Sequence, residues 1–253
     1  MKLRNTISKA LLVMSLASAF TMSGVVSNIL ANNPIPYPAD LDTKTEGASS
    51  APAMMNHKNS PYYPRLDFYN MKSNDHLTMI SHYRTYQQSR ENTCAPAAVL
   101  TVLYHNGITN LTEMDLAKGM NTQLYPIGTN KKDMVNYLKT LDLDVQSSLD
   151  GKTFDTYESF QAFVVDNLKD NTPILVENVE WGGHWRAIIG YDTMGTDTPL
   201  DDTIILADPY DTSDHDQDGY AINNGERLYA MWFDHSMLPK DQQNQQWITI
   251  TKR

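Results

Sequence analysis

Gln87-Gln88-Ser89-Arg90-Glu91-Asn92-Thr93-Cys94-Ala95-Pro96-Ala97-Ala98-Val99-Leu100-Thr101-Val102-Leu103-Tyr104-His105-Asn106-Gly107 decides how the chain is read. Its second half has the marks of a helix. Thr93 or Asn92 can cap the start, Pro96 is tolerated only in a first turn, and the apolar run stops at Asn106-Gly107. Cys94, the single cysteine, therefore stands at a helix N-terminus and has no partner for an intramolecular disulfide. Unpaired N–H groups and the helix dipole favour a thiolate there, the form of cysteine that attacks carbonyls. Six residues upstream, Gln88 can lend a side-chain N–H to an oxyanion beside that sulfur. A free cysteine is also commonly a small buried apolar residue, so the rest of the chain must decide.

The 253 residues, 41% of them hydrophobic, support one domain of ordinary size with an extension. A net charge of −10 and the lack of any basic stripe argue against nucleic acid as a partner. Residues 1–31 are of a different kind. Lys2, Arg4 and Lys9 precede an uncharged run of apolar and small residues from Ala10 to Ile29. This is the layout of a secretory signal peptide, with cleavage after Ala19 or after Ala31. The run is about long enough to span a bilayer, but Ser15, Ser18, Thr21, Ser23 and Ser27 make it a poor anchor. A secreted or cell-envelope protein is expected, with no stable membrane anchor once the signal is removed. Exported proteins braced by disulfides carry cysteines in even numbers, so a solitary one is either an accident or a reactive thiol.

Residues 32–62 are rich in Pro, Asn, Ser and Ala without apolar periodicity, and read as a flexible linker before a domain at 63–253. Leu77 to Tyr83 looks like a strand running into Gln87-Gln88. After the Cys94 helix, Thr112 to Asp115 resembles a capping box opening a short helix that ends at Gly119. Gly128-Thr129-Asn130 precedes a third helix, with Met134, Val135, Leu138 and Leu141 at helical spacing. Val145 marks a short strand. Tyr157 to Leu168 is a fourth helix, with Phe160, Phe163, Val164 and Leu168 on one face. Strands follow at 173–179, 184–191, 203–207 and 246–251. Helices first and strands afterwards make an α+β layout.

A thiol catalyst needs a base beside the sulfur and a group to orient that base. Of the seven histidines, His184 is the best candidate. It stands in Trp181-Gly182-Gly183-His184-Trp185-Arg186, at the head of an apolar strand, and the two glycines before it allow close approach of a backbone or substrate. His105 falls in the last turn of the Cys94 helix, where a structural role suits it. Asp208 closes the strand Thr203 to Ala207 and precedes Pro209. If that strand forms a hairpin with the His184 strand, its carboxylate can fix the tautomer of His184. An Asp-Pro at a strand end is also an ordinary turn.

Gln88, Cys94-Ala95-Pro96-Ala97-Ala98, Gly183-His184-Trp185 and Ala207-Asp208-Pro209, in that order, resemble the C39-like peptidases of the papain-like cysteine peptidase clan. The resemblance covers roughly residues 77–235. It implies Cys94 as nucleophile, His184 as general base, Asp208 as orienter and Gln88 as oxyanion donor. It also implies a papain-like fold, a helical layer carrying the cysteine packed on an antiparallel sheet carrying His and Asp. Ala95 departs from the family, which usually has glycine directly after the cysteine. The best-known relatives are fused to an ABC transporter and cut leader peptides after a double glycine. This chain has no nucleotide-binding motif and carries an export signal, so that specificity is not carried over. The expected activity is hydrolysis of a peptide or protein substrate through a thioester, with no cofactor required. Two other readings use the same residues: a catalytically inactive binding module, and an acyltransferase or transpeptidase. The joint presence of Gln88, Cys94, His184 and Asp208 speaks against the first.

Residues 211–226 hold a second feature. Asp214, Asp216 and Asp218 alternate before Gly219, like the first half of a calcium loop. The closing glutamate belongs at Gly225, and Glu226 comes one residue late. A structural calcium ion and a solvated acidic turn both fit this pattern.

Overall fold

Helix α1 (Cys94–His105) is apolar on all sides, and residues 94–103 are buried. A helix of that kind belongs inside a protein rather than on its surface. In the computed structural model it packs on strand β4 (His184–Asp192) and against helix α2 (Glu113–Gly119). The helix stops where the sequence places its stop, with Gly107 at φ +72°. The structure describes residues 33–51, 62, 64–123, 128–212, 216–232 and 245–253, which belong to one compact unit running from Asn32 to Arg253. The stretch read as a signal peptide lies outside the described residues. Among the described residues no helix is long and apolar enough to cross a membrane.

The other predicted helices form close to their expected bounds. Thr112 and Asp115 make a reciprocal capping box at the start of α2. Asn130 caps α3 (Lys131–Leu138), which buries Met134, Val135 and Leu138. Thr156 caps α4 (Tyr157–Lys169), which buries Phe160, Val164 and Leu168. Each fully buried aliphatic or aromatic side chain of this kind contributes roughly 1.5–3 kcal/mol.

The strands are β1 (Leu77–Met79), β2 (Leu143–Ser147), β3 (Ile174–Asn178), β4, β5 (Thr203–Ala207), β6 (Tyr220–Asn224) and β7 (Trp247–Lys252). Among the described residues they form one antiparallel sheet in the order β2-β7-β3-β4-β5-β6. The long strand β4 organises it. Its first half pairs with β3, its second half with β1, and β5 runs along its other edge. These strands are nearly continuous apolar runs because they are covered, and β2, at the sheet edge, alternates buried and exposed. The α+β arrangement of a cysteine-bearing helix on an antiparallel sheet agrees with the expected fold.

Three details differ from the sequence reading. The strand expected over 77–83 ends at Met79, and His82 takes a left-handed φ of 57°. Strand β6 and helix α5 (Gly225–Ala230) fill a stretch read as an acidic loop. The third difference concerns the presumed linker. Residues 33–51 pack against the domain. Ile35 and Ala48 are buried, and the N–H of Ile35 donates to Thr85 O at 2.9 Å. The N–H of Ser49 donates to Gln88 O at 3.0 Å, and that of Gly47 to Glu91 Oε1 at 2.9 Å. A segment without apolar periodicity is held here by backbone hydrogen bonds and two small apolar anchors. Gly47 has φ +68°, and a Cβ there would stand 2.5 Å from Gln88 O, so only glycine permits this approach.

Candidate active site

The loop Gln87–Thr93 reaches α1 by way of several fastenings. The N–H of Gln88 donates to Pro209 O at 2.8 Å. The Gln87 amide donates to Asp208 O at 2.8 Å and accepts from the Asp211 N–H at 3.1 Å. The approach to the cysteine is thereby tied to the chain just past β5. Beneath it sits Glu113, fully buried at the first residue of α2. Its carboxyl group accepts from Ser89 N at 2.9 Å, Ser89 Oγ at 2.7 Å, Tyr86 Oη at 3.0 Å and the Thr93 hydroxyl. Thr93 occupies the cap position of α1 without capping it, because its hydroxyl is committed to Glu113 and Arg90 O. Burial, with the neighbouring Glu113, pushes the Tyr86 hydroxyl well above the usual phenol range.

Cys94 opens α1 at the floor of a cleft of about 430 Å³ lined by Gln88, Glu91, Cys94, Gly183, His184 and Tyr210. Cys94 is largely buried and packs with the core, yet it lines this cleft. His184 arrives from the head of β4. Gly182 and Gly183, at φ +86° and +119°, turn the chain into the strand through conformations that other residues avoid. The β4–β5 hairpin pairs Ala187 with Ala207 and so carries Asp208 alongside. His184 Nε2 lies 2.7 Å from Asp208 Oδ1. The imidazole is also hydrogen-bonded to Cys94. Cysteine, imidazole and carboxylate therefore follow one another in the order that nucleophilic catalysis requires.

The electrostatics follow from the packing. Burial works against an imidazolium at His184, but the charge and hydrogen bond of Asp208, helped by Cys94, outweigh it and raise its pKa to about 10. Burial likewise works against the Asp208 carboxylate. His184, Arg186 and the Tyr210 N–H overcome it and hold the carboxyl below its usual range. The raised His184 contributes stability that is complete below its ordinary value of 6.5 and is lost as pH climbs through about 10. The lowered Asp208 contributes stability that is present above 3.8 and is lost as pH falls through its depressed value. Urea midpoints measured from pH 4 to 10 are therefore expected to fall on the alkaline side in the wild type. In Asp208→Asn that alkaline decline should largely vanish; an unchanged profile would mean the pair does not form.

Gln88 lines the same cleft as Cys94, but its amide is engaged. Both N–H bonds point to loop carbonyls, Arg90 O at 2.7 Å and Glu91 O at 3.1 Å, and its buried Oε1 has no partner. An oxyanion role needs one of those carbonyls exchanged for the oxyanion. Ala95 causes no strain, being an ordinary buried helical residue. His105 keeps to a structural role, with Nε2 2.9 Å from Asn171 O.

The acidic stretch is less simple. Asp214 lies outside the described residues. Asp216 is ion-paired with Arg65 at 2.6 Å, which works against a cation there. Asp218 Oδ1 accepts from the Tyr220 N–H at 2.9 Å, and Gly225, the expected closing position of a calcium loop, opens α5. Among the described residues no three His, Cys, Asp or Glu side chains gather around a common point.

Sequence reasoning missed Gln87, Glu113 and Arg186. Glu113 looked like an ordinary acidic residue in a first turn, and nothing local marks it as the acceptor beneath a loop 24 residues away.

Comparison with known proteins adds the lineage. No curated protein matches the chain. Among solved structures, the peptidase domain of Streptococcus ComA, a bi-functional ABC transporter involved in a quorum sensing pathway, is 17% identical. The match covers 68% of this chain and 100% of that one, with a TM-score of 0.43. The peptidase domain of Streptococcus mutans ComA is 15% identical over 67% and 99% of the two chains, with a TM-score of 0.36. The model of the Peptidase_C39 like family matches residues 80–232, more than half of the chain, and that span contains Gln88, Cys94, His184 and Asp208. The chain belongs to the Peptidase_C39 like family.

Proposed function

We propose that this protein is an exported cysteine peptidase that hydrolyses peptide bonds through a thioester on Cys94. The observation that carries the proposal is the hydrogen-bonded order Cys94, His184, Asp208 at the floor of an open cleft. The Cys94 sulfur, its proton held on His184, attacks the carbonyl carbon of a peptide. The tetrahedral oxyanion is held by the Cys94 N–H, one of the unpaired donors of a helix start, and by Gln88 once it releases a loop carbonyl. The imidazolium gives its proton to the leaving amine as the C–N bond breaks. It then removes a proton from water, which attacks the thioester; the C–S bond breaks, releasing the acid and leaving the sulfur beside the protonated imidazole. Asp208 holds the ring and stabilises its protonated form throughout.

Export rests on the basic and then apolar leader in residues 1–31. The test of the chemistry is product analysis. A library of unlabelled peptides is incubated with the chain lacking its leader, with and without added amine, and read by mass spectrometry. Peptides ending in free carboxylates support hydrolysis. Amides of the added amine mean that the thioester is passed on to an acceptor. A library left intact contradicts the proposal.

A further inference from the structure

Arg186 is a buried cation that the mechanism above leaves unused. It stands two residues past His184 on β4, so the two side chains share a face. Its side chain is only 3% exposed. Nη1 lies 3.5 Å from Asp208 Oδ2 and 3.4 Å from Glu180 Oε2. With the Asn223 amide turned to satisfy both of its ends, its oxygen accepts from Nη2 at 3.2 Å. Nε is buried without a partner. Placing a guanidinium there is costly, because burial removes its hydration and these contacts replace it incompletely. The register partner on β3 is Val176, and an aliphatic side chain would fill such a position at less expense.

Among the described residues, the charged groups around the Asp208 carboxylate are these. His184 approaches from β4, Arg186 also from β4, and Glu180, on the turn before β4, faces Arg186 from its other side. The two carboxylate oxygens are used differently. Oδ1 takes the Tyr210 N–H at 2.8 Å together with His184 Nε2, and Oδ2 is left for Arg186.

We propose that Arg186 is a positioning residue of the relay: it holds the outer oxygen of Asp208, keeping the group ionised and its inner oxygen turned to His184. This rests on the peptidase reading for its purpose but not for its test. Without the guanidinium, Oδ2 loses its ion-pair partner and the buried carboxylate keeps only the imidazole on Oδ1. The carboxyl then protonates more readily and is free to rotate. Glu180 balances the second half of the guanidinium charge, so Arg186 supports Asp208 without repelling the imidazolium by a full unit of charge.

The test is carbon-13 NMR of a chain with labelled aspartate carboxyls, titrated with acid. The Asp208 resonance is assigned by its loss in Asp208→Asn. In Arg186→Met the Asp208 midpoint is expected to rise by at least about one pH unit, the lower end of what a neighbouring arginine does to an aspartate. Arg186→Lys keeps the charge, and its midpoint should move by less than half as much. Should Arg186→Met not fold, Arg186→Gln, which keeps a donor for Asn223, carries the same expectation. A folded Met or Gln variant titrating at the wild-type midpoint overturns the proposal, since a merely structural arginine would alter stability without moving that value. The measurement uses no substrate. A shifted midpoint in a chain that cleaves nothing would leave the role of Arg186 standing and sink the peptidase reading instead.

Discussion

Cys94→Ala is expected to lose at least about a thousandfold in kcat/KM against any peptide that the wild type cleaves. The magnitude follows from what the sulfur does. Binding in the cleft and the oxyanion donors survive the substitution, and these alone sustain only a small residue of catalysis. The covalent route is lost with the nucleophile, because the cleft-lining residues offer no second thiol. The fold should be retained. Cys94 sits at the first residue of α1, and the adjoining Ala95, Ala97 and Ala98 show that small side chains fill this part of the helix. A loss of stability of about 1 kcal/mol is the ordinary scale for such a change. Activity within tenfold of wild type, in a preparation with normal circular dichroism, would remove Cys94 from the reaction.

Glu113→Ala is expected to destabilise the chain by about 3–5 kcal/mol, the scale for removing one partner of a buried charged or multiply bonded group. Four donors converge on this carboxyl group: the backbone and hydroxyl of Ser89, and the hydroxyls of Tyr86 and Thr93. An alanine gives them nothing, and no solvent replaces it, since Glu113, Ser89 and Thr93 are fully buried. The same change loosens the loop that carries Gln88 to the sulfur. Urea unfolding should show the midpoint falling at constant slope, with Cys94 labelling altered before the global transition. A loss below about 1 kcal/mol would mean that these bonds exchange with water at no cost, contrary to their burial. Glu113→Gln keeps the shape and one acceptor, and should recover part of the loss.

These two residues also mark how far the sequence could be read. Cys94 was legible because a local signal, Pro96 in a first turn and Asn106-Gly107 at the end, fixes where the helix begins and so where the sulfur stands. His184 was legible because a glycine pair precedes an apolar run, and Asp208 because it closes a strand that pairs with that run. Glu113 and Arg186 were not legible. Each is a charged residue whose importance comes from partners on elements distant in the chain, and charge alone reads as surface. The segment 33–51 was misread for a related reason. It is held by backbone hydrogen bonds to residues 85–91, and those leave no periodic trace in side-chain identity. Strand β6 was hidden by the aspartates before it, although Tyr220 and Ala221 are buried strand residues.

The pairing of sulfur and imidazole is tested most directly by the rate at which iodoacetamide alkylates Cys94 at pH 6. An unperturbed thiol is only about 0.3% thiolate at that pH. Hydrogen-bonded to His184, Cys94 is predicted to react faster than free cysteine, and His184→Gln to bring it to or below the free rate. Alkylation of the folded wild type no faster than that of free cysteine, and unaffected by His184→Gln, would contradict the account.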